Sequence, residues 1–488
     1  MNTRRVVPVA MALVATTLLG GCSLAPPYQK PRFDTPETFK EAGPWQAASP
    51  SDQLDRGDWW RGYDDAILAD LEAKVDQANP DLAAATERYA LAQGFLGEAT
   101  SGLFPRIDAA VGATHNRQSD HRPLRSASQP DEYKDNLLGA ALGYELDLWG
   151  RVRNLVAASR ANAQASAADL ASVRLSLHAE LANSYISLRG LDAQLKLLDD
   201  TVDAYSQALK LTENRLEGGI SSGLDVSRAQ TQLDNARALR TDVRAQRALY
   251  EHAIASLVGV PASRFSLAVK VAEIPIPTVP AALPSTLLER RPDVAAAERR
   301  VAVANAQIGV TRAAFFPSIS LTASGGYENT GGAGWLTAPN TFWSIGPRMT
   351  LPIFDSGLRS AREREAFAIF NEASDRYRST ALGAFQQVED NLALLHLLGD
   401  EAKDQSAAVA SAQKTLNLAL DRYRNGAIDY LGVVESQTAA LQAQRTELVL
   451  RDRRLRASVG LIRALGGGWT AAGDAASDVA QSAGKSGG

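Results

Sequence analysis

The sequence predicts a mainly helical protein carrying a small amount of membrane-type β-structure, built from two copies of one plan. Three observations carry this expectation. Short motifs recur at offsets of 212 and 207 residues. Two proline-free runs, 150–215 and 357–424, place apolar residues three or four apart. Four segments of about ten residues alternate apolar with polar side chains, the length that crosses a bilayer when tilted.

The chain opens with a targeting segment. Arg4 and Arg5 precede an apolar run from Val6 to Leu19 that is too short for a transmembrane helix. Leu19-Gly20-Gly21-Cys22 resembles a bacterial lipobox, which implies cleavage of 1–21 and lipid on Cys22, the only cysteine of 488 residues. An ordinary signal peptide with an incidental cysteine is the alternative. Ser23 follows, where an aspartate in the lipoprotein pattern would retain the chain at the inner membrane, so the resemblance implies the outer membrane. Residues 22–63 read as a lipidated N-terminal arm, and 467–488, rich in Gly, Ala and Ser, as a mobile tail.

Between them lie a first repeat (64–273), a Pro-rich linker (274–284) and a second repeat (285–466). Asn79-Pro80-Asp81-Leu82 matches Arg291-Pro292-Asp293-Val294, and Phe104-Pro105 matches Phe316-Pro317. Arg215-Leu-Glu-Gly-Gly219 matches Arg422-Tyr-Arg-Asn-Gly426. Each repeat begins with an Ala-rich helix (about 80–101 and 292–314), with Pro in the tolerant first turn.

A strand pair follows in each repeat, within 104–148 and 316–354. Ile107, Ala109 and Val111 share one face of the first strand, and Leu138, Ala140, Leu142 and Tyr144 one face of the second. Ile319, Leu321, Ala323 and Tyr327 oppose Ser318, Ser320, Thr322 and Ser324; Trp343, Ile345, Met349, Leu351 and Ile353 oppose Ser344, Gly346, Arg348 and Thr350. Loops at about 115–136 and 328–341 join the pairs. Trp149, Trp343 and Phe354 suit an interfacial aromatic girdle, as they would suit a core.

The long helices come next, 150–215 and 357–424. In the first, Leu177, Leu181, Tyr185, Leu188, Leu191, Leu195, Leu198, Val202 and Tyr205 trace a coiled-coil seam. Turns at Gly218-Gly219 and Asn425-Gly426 reverse the chain into return helices at 224–258 and 430–465. Four strands cannot close a membrane barrel, and an open edge in lipid is forbidden, so membrane strands require several chains; spacing alone does not choose between two and three.

No catalytic chemistry stands out. The five histidines are scattered, and there is no HExxH, Walker loop, Gly-x-Ser-x-Gly or cysteine nucleophile. The net charge is −4, and −6 once Arg4 and Arg5 are removed, which argues against nucleic acid as a partner.

The lipobox, the duplicated plan, Asp58-Trp59-Trp60 with Tyr63-Asp64, Trp343-Ser344-Ile345-Gly346-Pro347 and Leu351-Pro352-Ile353-Phe354-Asp355 together resemble TolC-type outer-membrane efflux proteins, most closely the OprM/NodT-type lipoprotein branch of RND efflux systems. The resemblance implies a TolC-like fold. Four strands per protomer would join a shared trimeric twelve-stranded β-barrel, and the helices a long periplasmic α-helical barrel. It implies a passive homotrimeric conduit in a Gram-negative outer membrane, carrying small toxic compounds or drugs outward. Its partners would be a periplasmic adaptor (membrane fusion protein), an inner-membrane RND-type transporter and outer-membrane lipid, with no enzyme activity, metal or cofactor. A type I secretion exit duct and a structural lipoprotein scaffold are the alternatives.

Matched on Gly426, the resemblance makes Leu431 and Glu435 a periplasmic gate, a leucine ring and a carboxylate ring in a trimer. On the residues alone the same pair is a packing leucine beside a surface glutamate. Asp225 and Tyr423 match a tip latch between neighbouring hairpins. Ile428 stands where the latch arginine belongs, leaving Arg422 or Arg424 as substitutes.

Overall fold

In the computed structural model, residues 23–32, 39–41, 58–119, 121, 128, 130–277, 291–331 and 334–467 are described. Eleven helices and strands organise them. These are α1 (Ala66–Ala78), α2 (Pro80–Ser101), β1 (Arg106–Arg117), β2 (Glu132–Glu145), α3 (Arg151–Glu217) and α4 (Gly223–Leu257). After 277 come α5 (Pro292–Ala313), β3 (Ser318–Asn329), β4 (Thr341–Thr350), α6 (Leu358–Arg424) and α7 (Tyr430–Ala464). Short 3-10 turns occupy Trp59–Tyr63, Ala262–Arg264 and Ala338–Asn340.

The chain divides into two compact units, and each draws on both repeats. Of the described residues, one holds those within 23–32, 88–167 and 296–377; the other holds those within 39–87, 168–295 and 378–467.

The first unit contains a four-stranded antiparallel sheet in the order β1-β2-β3-β4. Its register aligns the alternating faces. Ile107 sits opposite Leu142, and Val111 opposite Leu138. Leu138 is opposite Tyr327, and Tyr144 opposite Leu321. Ala323 faces Ile345, and Ile319 faces Met349. Directly opposed residues share a face, so these side chains form one apolar surface, and Arg106, Gly143, Thr322 and Gly346 fall on the other. The apolar surface is uncovered: Ile107, Val111, Trp343, Ile345 and Met349 are all about two-thirds or more exposed. The close approach of β2 to β3 depends on Gly326, because a Cβ there would overlap the Leu138 carbonyl.

β1 and β2 run further than the alternation predicts, to Arg117 and from Glu132. Their outer ends are polar and carry no hydrophobic signal, yet the ladder continues through His115↔Lys134 and Arg117↔Glu132. Trp149 is anchored within the protein: its Nε1 donates to the Pro317 carbonyl at 2.8 Å, and its ring stacks on Phe316 at 4.7 Å.

In the second unit α3 and α4 form an antiparallel pair. Leu191, Leu195 and Leu198 pack on Val243, and Val202 and Tyr205 pack on Leu233 and Ala236. The seam is held by apolar burial at coiled-coil spacing, and most of the helical stability comes from it. α1 is an element the spacing-based expectation omits, since that expectation starts the first helix at 80. Asp65 caps it, its Oδ1 accepting from the Ile67 and Leu68 amides, and Leu68, Leu71, Glu72 and Val75 form its buried stripe.

Candidate functional site

Two helical turns, both in the second unit, gather the residues singled out from the sequence. α3 ends at Glu217, and the Ile220 amide bonds back to the Arg215 carbonyl at 2.8 Å. Gly219 takes φ +71° there, which a side chain would strain. The second turn repeats the device: Ala427 bonds to the Arg422 carbonyl at 2.8 Å, with Gly426 at φ +73°. Gly218 and Asn425 precede these glycines and bond back to Asn214 and Asp421. Asp429 then caps α7 through the Gly432 amide.

Asp225 caps its own helix. It closes a capping box with Ser222, accepting from the Ser222 amide at 3.1 Å and the Ser222 hydroxyl at 2.8 Å, and from Ser221 at 3.2 Å. Arg228 lies 3.7 Å away. Desolvation raises its carboxyl, but these hydrogen bonds and Arg228 together hold it below the ordinary range.

Tyr423 is buried in a cluster with Ala229, Tyr430 and Val433, against which Leu209, Leu420, Ile428 and Val434 pack. Its hydroxyl donates to Thr212 at 3.4 Å, and its ring meets Tyr430 edge-on at 5.3 Å. Among the described residues Asp225 and Tyr423 share no hydrogen bond. The tyrosine that feels Asp225 is Tyr430: burial first, then Tyr423 and the charge of Asp225, push its hydroxyl up to about 12.

The arginine that joins the hairpins comes from the first one. Arg215 donates to the Tyr423 carbonyl at 2.8 Å and the Arg424 carbonyl at 3.4 Å, and its guanidinium lies 4.7 Å from the Tyr423 ring centre. It thereby meets the carbonyl end of α6, the negative end of the helix dipole. Ile428 is an apolar member of the same cluster, and Arg424 pairs with Asp421 at 3.4 Å. Arg215 was visible in the repeat as the counterpart of Arg422, but nothing in local sequence pairs it with Tyr423, 208 residues on.

Leu431 and Glu435, one turn apart on α7, are both exposed on the face opposite buried Val433. Glu435 has no ion pair among the described residues.

Cys22 lies outside the described residues. The segment after it is berthed in the first unit. Ser23 donates to Asn154 at 2.9 Å, Asn305 donates to the Pro26 carbonyl at 2.9 Å, and Tyr28 bonds Glu298.

A buried polar cluster in the second unit has no sequence precedent. His178 Nδ1 contacts Glu72 at 2.6 Å and its Nε2 contacts Asp76 at 3.1 Å; Arg174 grips Asp76 through two bonds of 2.8 and 2.7 Å. Trp60 stacks on the imidazole at 4.6 Å. Burial pushes the Glu72 carboxyl up to about 7, against the pull of His178. The Trp59-Trp60 turn and α1 are thereby clamped to α3. The helical spacing of α1 and the aromatic pair were legible signals; their meeting with His178 was not. Among the described residues no group of His, Cys, Asp or Glu has metal-holding geometry, and no helix is long and apolar enough to cross a membrane.

The family model for outer membrane efflux proteins matches residues 73–260 and 283–467. The chain belongs to the outer membrane efflux protein family. It is 33% identical over 468 residues to the probable efflux pump outer membrane protein SepC of Pseudomonas putida, covering 94% of this chain and 96% of that one. It is 32% identical over 464 residues to the pyoverdine export outer membrane protein OpmQ of Pseudomonas aeruginosa, covering 93% and 96%. Its structure is similar to that of the outer-membrane channel OprN, with a TM-score of 0.83 at 27% identity over 92% of this chain and 100% of the other. The open-state outer-membrane channel MtrE of Neisseria gonorrhoeae gives 0.81 at 26% identity over 92% and 98%. The fold is therefore TolC-like, and this family member is an efflux channel of a Gram-negative outer membrane.

Proposed function

We propose that the protein is the passive, trimeric exit duct of a tripartite pump, carrying small toxic compounds or drugs from periplasm to exterior. The observation that carries this reading is the sheet. One face is apolar from Ile107 to Val111 and across to Trp343–Met349, its edge-strand side chains are exposed, and both edge strands, β1 and β4, lack a partner within the described chain. Neither is stable in lipid unless further copies close the sheet. Three copies give twelve strands, within the range of membrane barrels. In this reading energy comes from an inner-membrane RND-type transporter, coupled through a periplasmic adaptor. Lipid on Cys22 would tether the arm that Asn154, Asn305 and Glu298 hold in place.

Leu431 and Glu435 form the gate in this reading: three leucines narrow the duct, and three carboxylates favour cations. The closed tip is held by the capped turns at Gly219 and Gly426, by Asp225 in its capping box, and by Arg215 on Tyr423. Partners open it by separating the hairpins.

Outer-membrane fractions should yield a heat-modifiable, SDS-resistant trimer. The purified trimer should make liposomes permeable to small solutes. A monomer that leaves liposomes sealed would favour the scaffold reading.

A further inference from the structure

Beside the start of β1, in the first unit, lies a groove of about 950 Å³. Phe95, Phe104 and Leu155 supply its apolar wall, and Arg106, Gly143 and Glu145 close it along the sheet. Phe95, Phe104 and Leu155 are all exposed in the single chain. At the same end of the sheet, β4 runs out into Leu351-Pro352-Ile353-Phe354, where Ile353 is 93% and Phe354 85% exposed.

The two features belong to opposite edges of one sheet. Four alternating strands leave β1 and β4 antiparallel, so rotation about one axis sets β4 of one copy antiparallel to β1 of the next. The register sets Arg106 level with Gly346, so β4 and the segment after it run past the start of β1, toward the level of the groove, in a strand about 4.8 Å away. β4 ends at Thr350; continuing its alternation to the next four residues would put Phe354 on the side of Ser344, Gly346, Arg348 and Thr350, and Ile353 on the apolar side. Arg106, Gly143 and Glu145, which border the groove, lie on that same polar side of the sheet.

We propose that this groove receives Phe354 of a second copy of the chain, so that each protomer plugs an aromatic side chain under the first strand of its neighbour. The inference rests on the trimeric reading and adds the seam to it. Phe354 is then buried between copies, while Ile353 and Trp343 remain on the lipid side. The groove offers an aromatic plug three large apolar side chains and the guanidinium of Arg151, paired with Glu145 at 2.6 Å, beside a strand edge that itself needs a partner.

The test is cross-linking in native outer membranes. A chain carrying Phe354→Cys and Leu155→Cys, treated with a short bis-maleimide, should give covalent dimers and trimers on denaturing gels, and neither single variant should. The wild type controls for Cys22. If the double variant is a trimer on native gels but denatures to monomers after treatment, the plug is wrong and the trimer stands. If wild type itself is monomeric on native gels, the trimeric reading fails and the plug fails with it. Independently, Phe354→Glu should lose the SDS-resistant trimer at temperatures where wild type and Phe354→Leu keep it. A Phe354→Glu trimer as resistant as wild type would overturn the proposal.

Discussion

The guanidinium of Arg215 sits over the ring of Tyr423, 4.7 Å from its centre, and donates a 2.8 Å hydrogen bond to the carbonyl of the same residue. One side chain thus ties the first helical turn to the last turn of α6 by a cation–π contact and a charge-assisted bond. Replacing it by alanine removes both, roughly 1–3 kcal/mol of tip stability. Single-channel conductance of Arg215→Ala should rise severalfold. Arg215→Lys should fall between, because an ammonium keeps the charge but loses the planar fork. Unchanged conductance in Arg215→Ala would mean that the tie does not hold the tip closed.

The Glu72–His178 pair predicts a pH dependence with a definite sign. Burial lifts the Glu72 carboxyl to about 7 from 4.5. The folded protein therefore holds this proton more tightly than the unfolded chain does. The resulting stabilisation is complete below about pH 4.5 and is lost as the pH rises through 7. Glu72→Gln keeps a hydrogen-bonding side chain beside His178 and removes the titration. The wild type should lose roughly 1–3 kcal/mol between pH 5 and pH 7.5 that the variant keeps. Thermal unfolding followed by helical circular dichroism reads this directly, and equal slopes in the two proteins would exclude it.

Gly326 predicts where the sheet tolerates no side chain. A Cβ there overlaps the Leu138 carbonyl and crowds Gly139, whereas a Cβ at Gly346 meets nothing within 4 Å. Gly326→Val should abolish the heat-modifiable form in outer-membrane fractions, and Gly346→Ala should leave it intact. Two variants with the same gel behaviour would contradict the β2–β3 register.

How far the sequence speaks follows from what each feature depends on. α3 and α6 were legible because a proline-free run with apolar spacing near 3.5 dictates a long helix by local rules alone. The turns were legible because Gly219 and Gly426 carry the left-handed backbone that ends a helix. The outer ends of β1 and β2 were not, since His115–Arg117 and Glu132–Asn136 are polar and only the ladder keeps them extended. Beside the helical turns, Asp225 and Tyr423 have Ser222 and Arg215 as partners, not each other. Contacts such as Arg215 with Tyr423 or Glu72 with His178 join residues 208 and 106 apart, and no local pattern records them.

We propose a conduit closed at the second helical turn, and single-channel recording in planar bilayers decides it. Wild type should show small, cation-selective currents. Leu431→Ala/Glu435→Ala should show larger currents that have lost the selectivity, since the variant removes both the narrowing side chain and the carboxylate. Two proteins that conduct equally, with the same selectivity, would contradict the gate at Leu431 and Glu435.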